Sequence, residues 1–487
     1  MKKRSLRVNA LLYAIRAVMS FVFPFITFPY LASILGVANI GKVTTSANIV
    51  NYFVLISQMG ILSYGMREGA RIRDDRKQLS VFASEIFTIN ILFTVLAYAL
   101  LVITVMLVPH LRQYSLLILI QSFNIIGATI GVEWMCSIFE DYGYVAVRSL
   151  AVQVMSVILI FTLVKQPQDY PVYAAITVAT NAGANLMNFF HVRKFADIHL
   201  TGNMRMGIHL KPMVIIFSSA VATTIYANFD VTMLSFMKGD YNVGLYNASL
   251  RIYSILQTLV ESIFLVAAPR LSNSLATESF DDYKKSVNSL FNDLFLFLMP
   301  ITVGVFMVSY EVIVLFSRGV YVEAAPSLQI LSIALFFSRI SSFMTYSILL
   351  PNKMESGVLK AMIISAITNV VLNYWAIPVT AQNGAAFTTA IAELQMTVFQ
   401  FIMIKNMKVL QFDKRHIGQI CVACLPVIGC CILVNQFHLS MVLTLLCKVI
   451  GSVVLYMAVL GIFRNAVFCN ILSGLLNRLH ITYEKGR

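Results

Sequence analysis

The sequence predicts an all-α polytopic membrane protein with about fourteen transmembrane helices in two similar halves. Three observations support this prediction. Of the 487 residues, 59% are hydrophobic and 12% are charged, with a mean hydropathy of +0.80, whereas a soluble domain contains roughly 25% charged residues. Apolar stretches long enough to cross a bilayer recur along the whole chain. A six-residue glycine motif also recurs after 203 residues.

The predicted helices follow from the apolar stretches, because about 17 to 25 such residues cross a bilayer. The fourteen stretches cover residues 9–35, 40–65, 81–108, 114–138, 145–164, 171–191, 212–235, 243–268, 290–316, 326–350, 358–377, 383–404, 417–434 and 440–463. The loops between them are short, which leaves no room for a soluble domain. Any function is therefore expected to lie within the membrane.

The repeated motif indicates an internal duplication. It reads Gly-x-x-Asn-Ile/Val-Gly at residues 36–41 and again at 239–244, and each copy interrupts an apolar segment. A polar stripe at helical spacing i, i+4, i+7, i+11, i+14 follows each copy, so its five side chains share one helical face. The first stripe is Thr44, Asn48, Asn51, Leu55 and Gln58, and the second is Asn247, Arg251, Ser254, Thr258 and Glu261. Such a face avoids lipid, which predicts a transporter with a central polar cavity between two halves.

The duplication also predicts the domain organisation. Residues 1–191 are predicted to form an N-terminal six-helix lobe, 192–211 a cytoplasmic linker, 212–404 a C-terminal six-helix lobe, and 405–487 two further helices with a cytoplasmic tail. Equivalent helices would run in the same direction, which gives a pseudo-twofold axis along the membrane normal.

Lysine and arginine are concentrated in alternate loops. The two tails and every second loop, together with Lys360 at a span end, contain 26 of these residues, and the opposite loops, together with Lys42 at a span end, contain five. Because positively charged short loops stay in the cytoplasm, both termini are predicted to be cytoplasmic. The same asymmetry explains most of the net charge of +14, so no nucleic-acid partner is expected.

Charged side chains inside predicted spans are the main candidate functional residues. An arginine at the centre of a spanning helix costs about 2.5–3.5 kcal/mol, and its guanidinium group binds phosphate oxygens in bidentate fashion. Arg16, Arg251 and Arg339 are therefore predicted to bind an anionic, phosphorylated substrate, with pairing to a buried acid or snorkelling to the membrane surface as the alternative. Asp230 and Glu261 are candidates for ion coupling.

Polar uncharged side chains at helical spacing are predicted to line the same cavity and to suit a ligand rich in hydroxyl groups. They are Asn48, Asn51, Asn181, Asn185, Asn247, Ser254 and Asn369. The cysteine pair Cys421-x-x-Cys424 is interpreted as helix packing, and the loop histidines His191, His199 and His209 as solvated residues. We therefore expect no catalytic residue, metal or cofactor.

Several segments resemble the bacterial polysaccharide transporters of the O-antigen flippase (Wzx-like) type. They are Phe28-Pro29-Tyr30-Leu31-Ala32 with Leu35-Gly36, Gly60-Ile61 with Tyr64-Gly65-x-Arg67-Glu68 and Arg73-Asp74-Asp75, and Asn242-Val243-Gly244-Leu245-Tyr246-Asn247-Ala248 through Arg251. The resemblance extends over nearly the whole chain in helix number and loop length. It implies the superfamily that also contains multidrug extruders and the flippase for the peptidoglycan lipid precursor.

The resemblance carries further expectations. It implies a MATE-like, V-shaped alternating-access fold of two six-helix bundles, in a bacterial inner membrane. The implied substrate is an oligosaccharide linked through pyrophosphate to a polyprenyl lipid, and the implied partners are membrane lipid and the polysaccharide polymerase and chain-length proteins. Arginines on the first and eighth helices line a cationic cavity in related flippases, and Arg16 and Arg251 lie on those helices. Helices 13 and 14 would form a groove for the lipid tail.

Two other functions remain as alternatives. A multidrug or cation extruder of the same superfamily would require a net acidic cavity, which the arginines inside the spans disfavour. An O-antigen polymerase or ligase would require a large outer loop with catalytic residues, and the predicted outer loops are short.

Overall fold

A computed structural model describes residues 6–202, 204–265, 271, 274–275 and 279–478. Within these ranges, the side chains of residues 6–21, 265 and 474–478 are not described. All regular secondary structure in the described part of the chain is helical. The prediction of an all-α polytopic protein is therefore confirmed.

Sixteen helices longer than one turn organise the described residues. In chain order they are α1 Leu6–Gln58, α2 Ile61–Ile72, α3 Arg76–Leu107, α4 Ser115–Gly131, α5 Glu133–Ile138, α6 Tyr142–Leu163, α7 Tyr170–Val192, α8 Met206–Lys238, α9 Asp240–Leu265, α10 Phe280–Ser317, α11 Ala325–Met344, α12 Glu355–Thr380, α13 Gln382–Ile404, α14 Lys414–Asn435, α15 Met441–Ile462 and α16 Ala466–Arg478. Single turns occur at Pro109–Arg112, Pro167–Asp169, Val322–Ala324 and Lys405–Met407, and a π-helical turn, Thr345–Leu349, follows α11.

Eleven helical stretches among the described residues are long and apolar enough to cross a membrane. One of these stretches, Val22–Ile72, contains the second predicted span and residues 22–35 of the first. Helices α7 and α9 are not among the eleven, although each has more than twenty residues. The predicted cavity residues Asn181 and Asn185 lie on α7, and the second polar stripe lies on α9. The composition of both helices therefore resembles that of a cavity wall more than that of a lipid-facing helix. The total of fourteen spans and the six-helix bundle layout stay predictions.

The two copies of the glycine motif have the same local structure. Gly36 lies inside α1 with φ 73° and ψ 173°, and Gly239 precedes α9 with φ 81° and ψ −178°. Only glycine adopts this region readily. An asparagine follows each glycine by three residues, and its side chain donates a hydrogen bond across the break. Asn39 donates to the carbonyl of Leu35, and Asn242 donates to the carbonyl of Lys238. The predicted interruptions at both motifs are confirmed.

Replacing either glycine with alanine tests this conformational requirement. We expect Gly36→Ala and Gly239→Ala each to lower the free energy of unfolding by about 1–3 kcal/mol. An added methyl group would meet no heavy atom within 4 Å at either position, so the loss would come from backbone strain alone. Unfolding in detergent would measure it. The control is Gly183→Ala on α7, which also meets no atom within 4 Å and lacks a positive φ; an equal effect there would contradict the argument.

The second glycine of each motif permits a reciprocal contact between α1 and the start of α9. A methyl group at Gly41 would lie 1.8 Å from the carbonyl oxygen of Asp240, and one at Gly244 would lie 2.2 Å from that of Val37. Residues 37 and 240 are equivalent positions of the repeat, as are 41 and 244. The two contacts are therefore local twofold copies of each other.

The chain divides into two compact units, residues 1–247 and 248–487. Within the first unit, α4 packs against α7, and α1 packs against α3, α4 and α6. Within the second unit, α13 packs against α11 and α12, and α14 packs against α10 and α15. The predicted lobe boundaries at residues 191, 211 and 404 stay a prediction.

Candidate functional site

Side chains at the N-terminal end of the first polar stripe form hydrogen bonds between helices of the first unit. Asn247 donates a hydrogen bond to the hydroxyl of Thr44 at 2.9 Å, and these two residues occupy equivalent positions of the repeat. Asn48 donates to the hydroxyl of Thr232 at 2.8 Å and to the carbonyl of Asn228 at 3.2 Å. Asn48 and Asn247 were predicted to line a cavity, and the structure places both in helix contacts.

The other predicted amides of the first unit lie further along the stripe on α1 or on α7. Asn51 and Asn181 are exposed, on α1 and α7 respectively, and Asn185 is half-buried one turn after Asn181. The side-chain oxygen of Asn185 lies against α4, where a methyl group added to Gly131 would approach it to 2.8 Å. These three amides remain candidates for contact with a polar ligand.

Asp230 is one of the two predicted ion-coupling acids. It is 4% exposed, on α8. The hydroxyl of Tyr246 donates a hydrogen bond to its Oδ2 at 3.1 Å. The structure therefore places this carboxylate among protein groups of the first unit, and its coupling role stays a prediction.

Arg339 and Glu261 were predicted to have separate roles, and the structure joins them in the second unit. Nη1 of Arg339 lies 3.1 Å from Oε2 of Glu261, and the arginine is 7% exposed. Gln257 extends the cluster through a 3.2 Å hydrogen bond to Ser338, which also accepts from Nε of Arg339. The pair largely cancels the charge that each side chain would offer to a ligand.

The remaining predicted residues have different surroundings. Arg251 is half-buried on α9, and Ser254 is exposed one turn later, with its hydroxyl donating to the Arg251 carbonyl at 3.0 Å. Asn369 is 3% exposed and accepts a hydrogen bond from Asn373 at 3.0 Å, inside the second unit. The backbone of Arg16 is helical, but its side chain lies outside the described residues.

The interpretation of the linker histidines as solvated is wrong for His209. It is 3% exposed, and its ring joins Glu85 at 2.8 Å and Tyr64 at 2.8 Å. Arg205 closes the cluster with a bidentate contact to the same carboxylate. The sequence signal was an acid inside the predicted span 81–108, because a buried carboxylate requires partners of opposite charge or hydrogen-bond donors.

The rest of the linker lies along α3. The hydroxyls of Ser80, Ser84 and Thr88 accept hydrogen bonds from alternate backbone amides of the linker, those of residues 197, 199 and 201. His199 is exposed, as predicted, whereas His191 contacts Asp141 at 2.8 Å. Burial raises the pKa of the Asp141 carboxyl, but hydrogen bonds from Lys194 and His191 outweigh this and leave the pKa below its usual value. The linker is thus an ordered part of the first unit.

A second ion pair was also missed. Lys448 on α15 contacts Glu311 on α10, and the two residues are 1% and 5% exposed. Glu311 lies inside the predicted span 290–316 and Lys448 inside the predicted span 440–463. Oε2 of Glu311 has no hydrogen-bond partner among the described residues. This pair therefore depends on a single short contact.

Beside this lysine, an apolar cavity of about 490 Å³ lies within the second unit. Its walls come from α9, α10, α14, α15 and α16 and include Leu256, Phe297, Val305, Val453 and Met457. Helices α14 and α15 correspond to predicted helices 13 and 14. The lipid-tail groove expected at these two helices stays a prediction.

Comparison with known proteins identifies the family. The family model described as "Polysaccharide biosynthesis protein" matches residues 6–275. A relative from Escherichia coli strain K12 is 24% identical over 420 residues, which is 84% of this chain and 99% of the relative. A relative from Shigella dysenteriae is 27% identical over 274 residues, which is 55% of this chain and 67% of the relative. Each is named "Putative O-antigen transporter".

Solved structures share the fold. The lipid II flippase MurJ in an inward closed conformation gives a TM-score of 0.74 at 14% identity, covering 93% of this chain and 98% of that one. An inward-facing multidrug resistance transporter of the MATE family gives 0.61 at 12% identity, covering 81% and 98%. Identities this low show the fold alone. The chain therefore belongs to the polysaccharide biosynthesis protein family and is a multi-pass membrane protein with a MATE-like fold.

Proposed function

We propose that this protein is a flippase for polyprenyl-pyrophosphate-linked oligosaccharide repeat units of O-antigen or another surface polysaccharide. It would move them from the cytoplasmic to the periplasmic leaflet by alternating access. The observation that carries the proposal is membership in the polysaccharide biosynthesis family, in a chain built from membrane helices. The names of the two relatives and the fold shared with the lipid II flippase support it. In this proposal the protein is a transporter and not an enzyme.

The chemistry of such a substrate requires three kinds of contact. The sugars require hydroxyl-binding groups, and the exposed Asn51, Asn181 and Ser254 supply them. The pyrophosphate requires fixed positive charge, which a guanidinium provides at any accessible pH. We assign it to Arg251 and Arg16 from their positions inside predicted spans. Arg339, the third arginine of the prediction, pairs with Glu261. The polyprenyl chain requires an apolar surface, and the cavity of the second unit offers one.

The proposed location is the bacterial inner membrane with both termini in the cytoplasm. The distribution of 26 against five basic residues between alternate loops supports this orientation. A substrate assembled in the cytoplasm would then enter from the side of the termini. Membrane lipid and the polymerase and chain-length proteins of the same export system are the proposed partners.

The leaflet distribution of the lipid-linked oligosaccharide tests this function. Host cells with and without the protein would be treated with a label that cannot cross the membrane. We expect the oligosaccharide to accumulate on the inner side without the protein and to reach the outer side when the protein is restored. An unchanged distribution, together with altered sensitivity to cationic drugs, would favour drug extrusion instead.

Substitution of Arg251 tests the pyrophosphate assignment. Arg251→Ala is expected to abolish export, and Arg251→Lys to retain part of it, because lysine keeps the charge but loses bidentate geometry. A hydrogen bond to a charged group contributes about 1.5–3 kcal/mol, or roughly tenfold or more in binding. The exposed Arg415→Ala is the matched control. Export by Arg251→Ala at the level of Arg415→Ala, with equal protein in the membrane, would remove the assignment.

A further inference from the structure

One membrane-spanning segment of the first unit is broken. Helix α4 ends at Gly131, Val132 adopts the left-handed conformation with φ 38° and ψ 35°, and α5 begins at Glu133. A β-branched residue rarely adopts this conformation, so the surrounding structure must hold it there. Helix ends leave carbonyl groups without intrahelical partners. Within a membrane such a break is tolerated where it is buried in protein or lines a cavity.

A cavity of about 170 Å³ lies at this break. Gln58 from α1, Asn185 from α7 and Glu133 line it together with Thr129 and Asn90. Five polar side chains from five helices thus converge on one space. Nε2 of Gln58 is buried and has no hydrogen-bond partner among the described residues. This donor requires an acceptor.

The charge balance of the cavity favours a neutral ligand. The one carboxylate, from Glu133, lies 3.7 Å from the guanidinium of Arg148, which is itself 6% exposed. No group of three or more His, Cys, Asp or Glu side chains among the described residues is placed to hold a metal ion. Amide donors and acceptors beside a carboxylate that is paired with a guanidinium match the hydroxyl groups of a sugar.

The size of the cavity limits the ligand further. Its volume corresponds to about six water molecules at roughly 30 Å³ each, and typical pockets for drug-sized ligands begin at about 300 Å³. A cavity of this volume holds a single sugar ring and is too small for an oligosaccharide or a lipid tail. Phe87 also lines the cavity and offers an apolar surface to the C–H face of a ring.

We infer that this cavity is a subsite for one neutral sugar ring of the transported substrate, with Gln58 and Asn185 as specificity-determining residues. The inference rests on the proposed function and adds the place in the protein at which one sugar ring is recognised. In this arrangement Gln58 donates through Nε2 to a ring hydroxyl, and Asn185 and Glu133 accept from others. The hydroxyl pattern of that one ring would decide which repeat units enter.

The two tryptophans of the chain allow a direct binding test. Trp134 lines the cavity, and Trp375 is 70% exposed on α12. In the Trp375→Phe protein, reconstituted in nanodiscs, Trp134 is the single reporter. It would be titrated at millimolar concentrations with glucose, galactose, mannose, rhamnose and N-acetylglucosamine, and separately with sodium chloride and potassium chloride. We expect a saturable fluorescence change with at least one sugar.

Variants then locate the response. Gln58→Leu keeps a similar volume and removes the donor, so it is expected to abolish the change. Gly131→Ala, whose methyl would approach the Asn185 oxygen to 2.8 Å, is expected to weaken it from the opposite wall. Gly183→Ala, with no atom within 4 Å of the added methyl, is the control and should respond like the parent.

Three results would overturn the inference. They are no response to any of the five sugars, a response unchanged in Gln58→Leu, or a response to sodium alone, which would make the cavity a cation site. The leaflet measurement distinguishes failure of the sugar-subsite inference from failure of the proposed flippase function. Normal translocation without a sugar response leaves the flippase and removes the subsite, whereas a sugar response without translocation removes the flippase.

Discussion

Replacement of Lys448 with methionine is expected to lower the free energy of unfolding by about 3–5 kcal/mol. Lys448 is 1% exposed, and its partner Glu311 is 5% exposed. Methionine is similar in length, so the substitution removes the charge while leaving little empty space. The carboxylate of Glu311 would then be buried without a partner, because its second oxygen already has none among the described residues. An unpaired buried charge is far more destabilising than a missing pair.

The double substitution separates the two effects. Lys448→Met combined with Glu311→Met is expected to recover most of the lost stability, because two apolar side chains can replace a buried pair at little cost. Thermal unfolding in detergent, with a double-mutant cycle, would measure the coupling. The exposed Lys414→Met on α14 is the control. A single Lys448→Met variant as stable as Lys414→Met would show that the pair contributes nothing.

Replacement of Gly41 with alanine is expected to abolish transport. The added methyl would lie 1.8 Å from the carbonyl oxygen of Asp240. Because that atom belongs to the backbone, no side-chain rotation can relieve the overlap, and α1 must separate from the start of α9. Overpacking of this kind costs typically about 1–3 kcal/mol, and backbone contact places Gly41 at the upper end. The neighbouring bond from Asn247 to Thr44 would be lost with it.

Two measurements test the Gly41 substitution. Unfolding in detergent gives the stability, and surface polysaccharide in cells that lack the native protein gives the transport. Gly429→Ala on α14 is the matched control, since no heavy atom lies within 4 Å of its added methyl. The reciprocal variant Gly244→Ala should behave like Gly41→Ala. Normal export by both variants at normal membrane levels would show that the close contact is dispensable.

Local features of the sequence were sufficient to predict the all-helical fold class and the breaks at Gly36 and Gly239. Long apolar runs form helices in a membrane because every backbone polar group must find a partner there. The breaks at Gly36 and Gly239 follow from a backbone conformation that glycine alone adopts readily. Both features depend on neighbouring residues only. They can therefore be predicted without knowledge of tertiary contacts.

The partners of the polar side chains could not be predicted in this way. Helical spacing showed that Asn48 lies on a polar face, but its partner Thr232 is 184 residues away. Arg339 and Glu261 are separated by 78 residues, and Glu85 and His209 by 124. Which groups meet depends on how helices pack, and a charge pattern alone does not distinguish a buried pair from a ligand site.

The hydrogen bond between Thr44 and Asn247 has a consequence for the history of the chain. Equivalent positions of a duplicated sequence contact each other only beside a twofold axis, so in an ancestral homodimer this contact would have joined a residue to its own copy. Identical side chains at an axis must serve as both donor and acceptor. In one covalent chain the two equivalent positions need not be identical, so one can supply the hydroxyl acceptor, Thr44, and the other the amide donor, Asn247.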